Sequence, residues 1–592
     1  MVPRLTATRP TTPRYPSAMP DAPAPDRPPS SFKETAISVV IAFVLAFVFR
    51  GFVVEAFVIP TGSMAPTLLG AHTRFHSPES GAVWTVNPRD VGQARSGETL
   101  PLPIQGENRP LRVTDPMTGA RIGEQLPESL GRNKRLLGGD RIFVLKYLYS
   151  VYDPSRFDAA VFKYPGRPQE NYIKRLVGLP GEEVALVDGD VFVRPAAARA
   201  AGATQSDWTA NDWTIARKPE RVQRALWMPV YDSRYAPLRP ERDLRRWFRA
   251  PWLGTTGAGE TDPAWQIEDR HDYVYSGEGP TVLRWDHENW PVTDRYPYNE
   301  IDPLGPNPFG GRFDVNQGMA IFPVCDVRVA FGVRPMRAGP SIAAVLSARG
   351  HEFRAELEGD RVTVRMRPVS EGIASEAESW REIGTGRLPR ALPAGEVTNL
   401  EFWFVDQSVQ VWHEGRRVVL AEYAWSPALR VAHATGRPFA EVMRQQRSGN
   451  VLADYRLFTP PRVRVEFSGS PVTLSRVRLD RDVHYQASAY DRRHGARGTH
   501  VRDGQPALAT HPAQPCVLGP HQFFACGDNA ASSLDGRLWD TPDPWVAAEF
   551  DPTPGVVPRD LLIGKAFFVY FPAVSWEKRA PVPDFGRMRF VW

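Results

Sequence analysis

The chain has 592 residues, 42% of them hydrophobic and 23% charged, with a formal net charge of +5. That length exceeds one ordinary hydrophobic core and implies two or three folded units. The small positive surplus, with no dense Lys/Arg block, offers no nucleic-acid surface, and the absence of CxxC and H-E-x-x-H motifs gives no support to a metal site or other cofactor.

Residues 1–32 are rich in Pro, with Arg4, Arg9, Arg14 and Arg27 scattered among Ala, Ser and Thr. Such a composition cannot bury a core and predicts a disordered tail. The apolar run Ala36 to Phe49 follows, then Arg50 and GFVVEAFVIP. The run is short for a spanning helix, which needs about 20 residues, but reaches that length if Arg50 snorkels and Gly51 to Val54 count as span. A cleavable signal fits poorly because the run ends in Glu-Ala-Phe instead of A-x-A spacing. A core helix fits poorly because nothing upstream could pack on it. The expectation is an uncleaved anchor over 33–54, with the basic tail in the cytoplasm and the remainder outside.

Beyond the anchor the pattern is mainly β. Arg141 to Tyr149, Ala159 to Tyr164 and Asn171 to Leu179 read as strands punctuated by Pro and Gly, and Leu561 to Phe571 as another. Residues 195–320 are dense in Trp, Pro, Asp and Arg and show no assignable period. Clean alternation then runs through Val327, Val329, Phe331 and Val333, and through Phe353, Ala355 and Leu357. It continues at Val362, Val364 and Met366, at Leu400, Phe402 and Phe404, and at Val463, Val465 and Phe467. Period-2 patterning over so many segments predicts an antiparallel β-sandwich, read as a structural insert or as a surface for protein or glycan contact. Cys516 and Cys526 are close enough in sequence to form a disulfide outside the cytoplasm. Three unpaired, partly buried thiols, including Cys325, are an equal alternative.

Three segments carry the chemistry. In FVIPTGSMAPTL, Phe57 to Leu68, Pro60 and Gly62 bracket a tight turn with Ser63 at its tip. In YIKRLVGLPGEEV, Lys174 sits in an otherwise apolar strand, where loss of water lowers an amine's pKa. By themselves these features are an ordinary turn serine and an ordinary strand lysine. The third segment is FFACGDNAASSLDGRLWD, Phe523 to Asp540.

In this order the three segments resemble the I-P-S-G-S-M-x-P-T-L, Y-I-K-R-x-x-G-x-P-G-D and G-D-N-R-x-N-S-x-D-S-R-x-W boxes of bacterial type I signal peptidases, which are Ser/Lys proteases. Gly139 to Tyr149, Asp158 to Pro165 and the VPRDLLIGKAFFVYFP segment are similar to the family's remaining strands. The resemblance implies that Ser63 is the nucleophile and Lys174 the general base, with Thr61 and the Ser63 N–H as the oxyanion hole. It implies that Ser533 orients the lysine amine and that Asp528, Asp535 and Arg537 support the loop. Ile59, Pro60, Met64, Leu68, Tyr172 and Ile173 would line a shallow groove selecting Ala-x-Ala-type sites.

Ala530, Ser532 and Gly536 depart from the usual Arg, Asn and Ser, and Glu182 from the usual Asp. The implied organisation is a catalytic core at 55–192, with an insertion at 70–138, continued at 486–592. An irregular insert at 193–319 and the β-sandwich at 320–485 interrupt it. Signal peptides and a lipid bilayer are the implied partners. The alternative is an inactive envelope protein whose sandwich binds glycans or proteins, and a Ser-His-Asp hydrolase is disfavoured because no G-x-S-x-G elbow occurs.

Overall fold

The computed structural model describes residues 32–48, 53–87, 113–123, 126–131, 137–237, 250–267, 271–299, 321–369, 380–445, 449–490, 504–572, 574–577, 580–583 and 585–592. The Pro-rich tail at 1–31 lies outside them. Two units are distinguished, Met1–Val53 and Val54–Trp592.

In the first unit, Phe32–Val48 forms a helix of 17 residues. At 1.5 Å per residue it is about 26 Å long, below the ~30 Å of a bilayer core. No helix among the described residues is long and apolar enough to cross a membrane. The anchor expected over 33–54 is therefore not seen as a spanning helix, and residues 49–52, needed to complete it, are outside the described set.

The second unit is mainly antiparallel β. One sheet runs in the order Val54–Val58, Arg141–Leu145, Leu562–Phe571, Ala159–Tyr164, Arg167–Gly178, Gln522–Cys526 and Val556–Pro558, with Arg589–Phe590 on Leu562–Phe571. Early and late parts of the chain thus alternate within it. Three strand expectations are adjusted. The Arg141 strand stops at Leu145, and the apolar continuation turns into the short helix Leu148–Val151. The lysine-bearing strand begins at Arg167, four residues earlier than the pattern suggested, because its polar first half pairs at the exposed end of the sheet. The late strand starts at Leu562. A smaller sheet, Cys516–Val517, Glu182–Val187, Asp190–Pro195 and Thr214–Ile215, packs alongside through Val184, Leu186, Leu518 and Phe524.

The alternating segments form two further antiparallel sheets. One contains Val327–Pro335, Thr398–Val405, Ser408–His413, Arg416–Glu422 and Val472–Arg481; the other contains Ser341–Ala348, His351–Glu358, Arg361–Pro368, Arg381–Arg387 and Arg462–Ser468. Val329, Phe331, Phe402, Ala355, Val364 and Val465 meet in one core between them, each large apolar side chain contributing about 1.5–3 kcal/mol by burial. The stretch at 195–320 that had no readable period supplies strands to both sheets. Met228–Asp232, Trp265–Gln266 and Tyr273–Tyr275 join the first, and Trp252–Thr255 and Thr281–Trp285 join the second. These strands are short and bury Trp252, Trp285 and Tyr273, so large aromatics replace the aliphatic alternation that signals a strand.

The insertion after Leu69 holds the hairpin Thr73–His76 with Val83–Val86, where Phe75, Trp84, Val113 and Ile122 make a small core. All three cysteines are buried and free, so Cys516 and Cys526 do not pair.

Candidate active site

Ser63 lies in the 3₁₀ turn Gly62–Met64, entered from Thr61 in extended conformation. Lys174 lies where its strand passes from the half-exposed to the fully buried part of the sheet, since residues 174–178 are all buried. It pairs across to Ala160 on one side, and its neighbour Arg175 pairs to Cys526 on the other. The two expected dyad residues, 111 positions apart, meet: Lys174 Nζ is 2.5 Å from Ser63 Oγ. Ser63 is 8% exposed and Lys174 4%. Burial brings the Lys174 amine down from its ordinary value to about 8, while the Asp535 and Asp528 carboxylates resist the fall.

The Gly-Asp-Asn segment folds under the serine turn. Asn529 donates its backbone N–H to Ser63 O at 3.0 Å and its amide Nδ2 to Gly62 O at 3.0 Å. Asp528 forms a fully buried ion pair with Arg175, Nε to Oδ1 at 2.6 Å and Nη2 to Oδ2 at 2.7 Å. Thr67 donates its hydroxyl to the same carboxylate at 2.5 Å. Asp535 accepts from Arg537 Nε at 2.8 Å and from Gly527 N at 2.9 Å. Burial alone would raise the Asp535 carboxyl, but Arg537 and the Gly527 N–H hold it below the usual range. Asp528, Asp535 and Arg537 thus all lie buried in the segment beneath the serine turn.

Thr61 is exposed beside the turn, and its hydroxyl makes no capping bond. Ser533 is buried close by: a Cβ on Gly527 would meet both Ser533 Oγ and Ser63 O. Its hydroxyl has no hydrogen-bond partner. The expected bond from Ser533 to the lysine amine is therefore not formed here.

The groove residues divide. Pro60 is exposed, and Tyr172 and Ile173 are half-buried at the surface of the sheet. Ile59, Met64 and Leu68 are 3%, 0% and 0% exposed and pack with Ile142, Val144 and Val161. Ile59, Met64 and Leu68 are thus the floor under the serine turn and present almost no open groove surface, because the turn folds back over them.

The departures from the family boxes have local causes. Arg537 Nη2 donates to Ala530 O at 2.9 Å, so the backbone at Ala530 is held from outside. A Cβ on Gly536 would lie 2.7 Å from Gly555 O, which leaves no room for a serine. Glu182 accepts from Leu179 N at 2.9 Å and from Arg156, closing the Pro-Gly turn.

Several residues that shape the site carried no assigned role in the sequence. Arg175, Thr67 and Asn529 lie inside the boxes, so the boxes themselves were the available signal. Tyr298 and Asn299 come from the insert. Tyr298 packs on Gly62, where an added Cβ would approach its Cε1 to 2.3 Å. Asn299 and Asn529 exchange amide bonds of 2.7 and 2.8 Å. Nothing in the Trp- and Pro-rich stretch around them marked these two. Among the described residues Asp190 of the core also forms a buried cluster with Asp326, Asp406 and Asp482 of the insert. Lys218, Arg349 and Arg430 fill it with ion pairs, so it is an internal salt-bridge network.

The family model described as "Signal peptidase, peptidase S26" matches residues 128–221 and 461–571. Signal peptidase I of Pseudomonas aeruginosa is 45% identical over 58 residues, 8% of this chain and 20% of that protein. The Aquifex aeolicus signal peptidase I is 47% identical over 49 residues, 8% and 19% respectively. The Rickettsia bellii enzyme is 35% identical over 78 residues, 10% and 27%. The aligned parts thus span about a fifth to a quarter of these curated relatives. Among solved structures, a carbohydrate binding module from Bacillus subtilis, CBM66, is matched over 39% of this chain and 96% of its own, at 9% identity and a TM-score of 0.20. Sheep galectin-11 is matched over 26% and 90%, at 13% identity and a TM-score of 0.16; neither score supports a statement about ligands. The chain is thus similar to type I signal peptidases over these segments: strands from both matched stretches share one sheet, and Lys174 within them contacts Ser63.

Proposed function

We propose that this chain is a membrane-anchored serine endopeptidase that removes N-terminal signal peptides from exported preproteins after small residues, at Ala-x-Ala-type sites. The observation that carries this reading is the 2.5 Å contact between Lys174 Nζ and Ser63 Oγ in a buried site. A neutral amine there can take the Ser63 proton as the oxygen attacks the scissile carbonyl. The Ser63 N–H and the Thr61 hydroxyl receive the developing oxyanion. Lys174 then passes its proton to the leaving amine, and water, deprotonated by the same lysine, hydrolyses the acyl-enzyme ester. Pro60, Tyr172 and Ile173 form the substrate side of this arrangement, and its shallow surface favours small side chains.

Anchoring is supported by the apolar helix Phe32–Val48, whose Ile37, Val40, Ile41, Phe43 and Val44 are 48% to 60% exposed. Extended through residue 54, it would place the basic tail in the cytoplasm and the catalytic unit outside, where signal peptides emerge. The second reading is an inactive scaffold with a glycan- or protein-binding sandwich, favoured by the unpartnered Ser533 hydroxyl and by Ala530 and Ser532.

The deciding experiment incubates the detergent-solubilised full chain with a preprotein bearing an Ala-x-Ala site, beside Ser63→Ala and Lys174→Ala. Cleavage at that site, lost in both variants, supports the peptidase. No cleavage by folded wild type supports the scaffold.

A further inference from the structure

The insert reaches the serine turn through the segment Tyr296–Asn299, which leads out of the sandwich region. Its base is fixed by buried groups on the return path of the chain. Arg481 Nη2 donates to the carbonyls of Asp294 and Arg295 at 3.1 and 3.2 Å, and Asp294 accepts from Phe322 N at 2.8 Å. The segment then lays Tyr298 on Gly62 and against Ala65 and Leu69, and presents the Asn299 amide to Asn529.

Asn529 Nδ2 has two acceptors, Gly62 O and Asn299 Oδ1, while its Oδ1 accepts from Asn299 Nδ2. Gly62 O, which also accepts the Ala65 N–H at 3.1 Å, cannot face a second acceptor oxygen at 3.0 Å, so the nitrogen of Asn529 must face it, and that choice fixes the Asn299 amide as well. The Gly62 carbonyl and the Ser63 N–H belong to one planar trans peptide and point in opposite directions. Pinning Gly62 O on Asn529 therefore aims the Ser63 N–H away from Asn529, on the side left for an oxyanion. Among the described residues, Asn299 is the one lock of this set that comes from the insert through a side-chain bond.

We infer that Asn299 is a positioning residue for the oxyanion hole, acting through Asn529 on the direction of the Ser63 N–H; this rests on the peptidase reading above. The inserted domain is thereby a working part of the site. Without the Asn299 amide, Asn529 keeps its backbone bond to Ser63 O but its side chain is free to rotate away from Gly62 O. Gly62 O then keeps only the Ala65 N–H, and the peptide is held less firmly when negative charge develops, a moment at which a misaligned donor costs rate without costing substrate binding.

The test is steady-state cleavage of an Ala-x-Ala preprotein by full-length wild type, Asn299→Ala, Asn529→Ala and the double variant, with thermal unfolding of each. The expected result is a fall in kcat of roughly ten- to a hundredfold for Asn299→Ala, less than the roughly 10²–10³ of deleting a donor outright. KM should stay within about twofold and the pH limb should not move, since Lys174 is untouched. The double variant should be no slower than Asn529→Ala. If Asn299→Ala unfolds, Asn299→Asp serves, since it keeps the size and loses the donor to Asn529 Oδ1. An active wild type with unchanged kcat in the folded variant, or a change confined to KM, overturns this inference alone. An inactive wild type overturns the peptidase reading and this inference with it.

Discussion

Activity should follow the deprotonation of Lys174, and the structure sets where. With an ordinary value of 10.5, about 0.03% of such amines are neutral at pH 7; at about 8, about 9% are. Burial therefore raises the population of competent base about 300-fold at neutral pH. The kcat/KM profile, which reports the free enzyme, should climb about tenfold per pH unit up to near pH 8 and then level. The assay is preprotein cleavage at low substrate concentration from pH 6 to 10, with circular dichroism confirming the fold at each pH. Asp535 provides the internal control. Its carboxylate is the largest charge holding the amine up, and Asn in its place keeps an oxygen for the Gly527 N–H. Asp535→Asn should move the rising limb to lower pH. A wild-type profile still rising beyond pH 9.5, or a limb that Asp535→Asn moves upward, would refute the desolvated-base argument.

Three other outcomes are expected. Lys174→Met should stabilise the fold at pH 7 by up to about 3 kcal/mol. The folded-state value lies below the unfolded 10.5, so protonation opposes folding fully below about pH 8 and ceases to as pH rises through 10.5. The gain in Tm should therefore shrink in alkali, and a gain independent of pH would contradict it. Asp528→Ala strands the fully buried Arg175 and should cost about 3–5 kcal/mol in a urea titration; a loss below about 1 kcal/mol would mean the pair is hydrated. Ser533→Ala removes a buried hydroxyl that has no partner, so stability should hold or rise by up to about 1 kcal/mol, and a drop in the denaturation midpoint would show an unseen bond.

Much of the candidate site was legible through the resemblance of its three boxes, and local sequence explains the shape of two of them. Pro60 and Gly62 set a tight turn that carries Ser63, and a lysine inside YIKRLVGL has no aqueous face once the strand is covered on both sides. The sandwich strands were legible where aliphatic residues alternate with Arg and Glu, as at Phe353 to Glu358. The period fails at Trp252–Thr255 and Tyr273–Tyr275, where three or four residues are too few to set a period and Trp and Tyr fill the core from both sides. Met64 and Leu68 differ for another reason: the resemblance implied groove surface, but both side chains are buried against the strands beside the short turn. Asn299 was illegible because its role exists only in the fold, 230 positions from its partner.

The interleaving of the core sheet has a consequence for biogenesis. Ser63 and Lys174 are both synthesised early, but the strand Gln522–Cys526 and the carboxylates of Asp528 and Asp535 come more than 340 residues later. At 5–20 residues per second, a nascent chain spends roughly 20–70 seconds with both reactive groups made and the wall beside them missing. During that interval Lys174 is hydrated, protonated and unfit as a base. On the peptidase reading, competence would arrive with the closing strand, after the sandwich has emerged and had time to fold, so the order of translation itself would keep the site silent while its own unfolded segments are within reach.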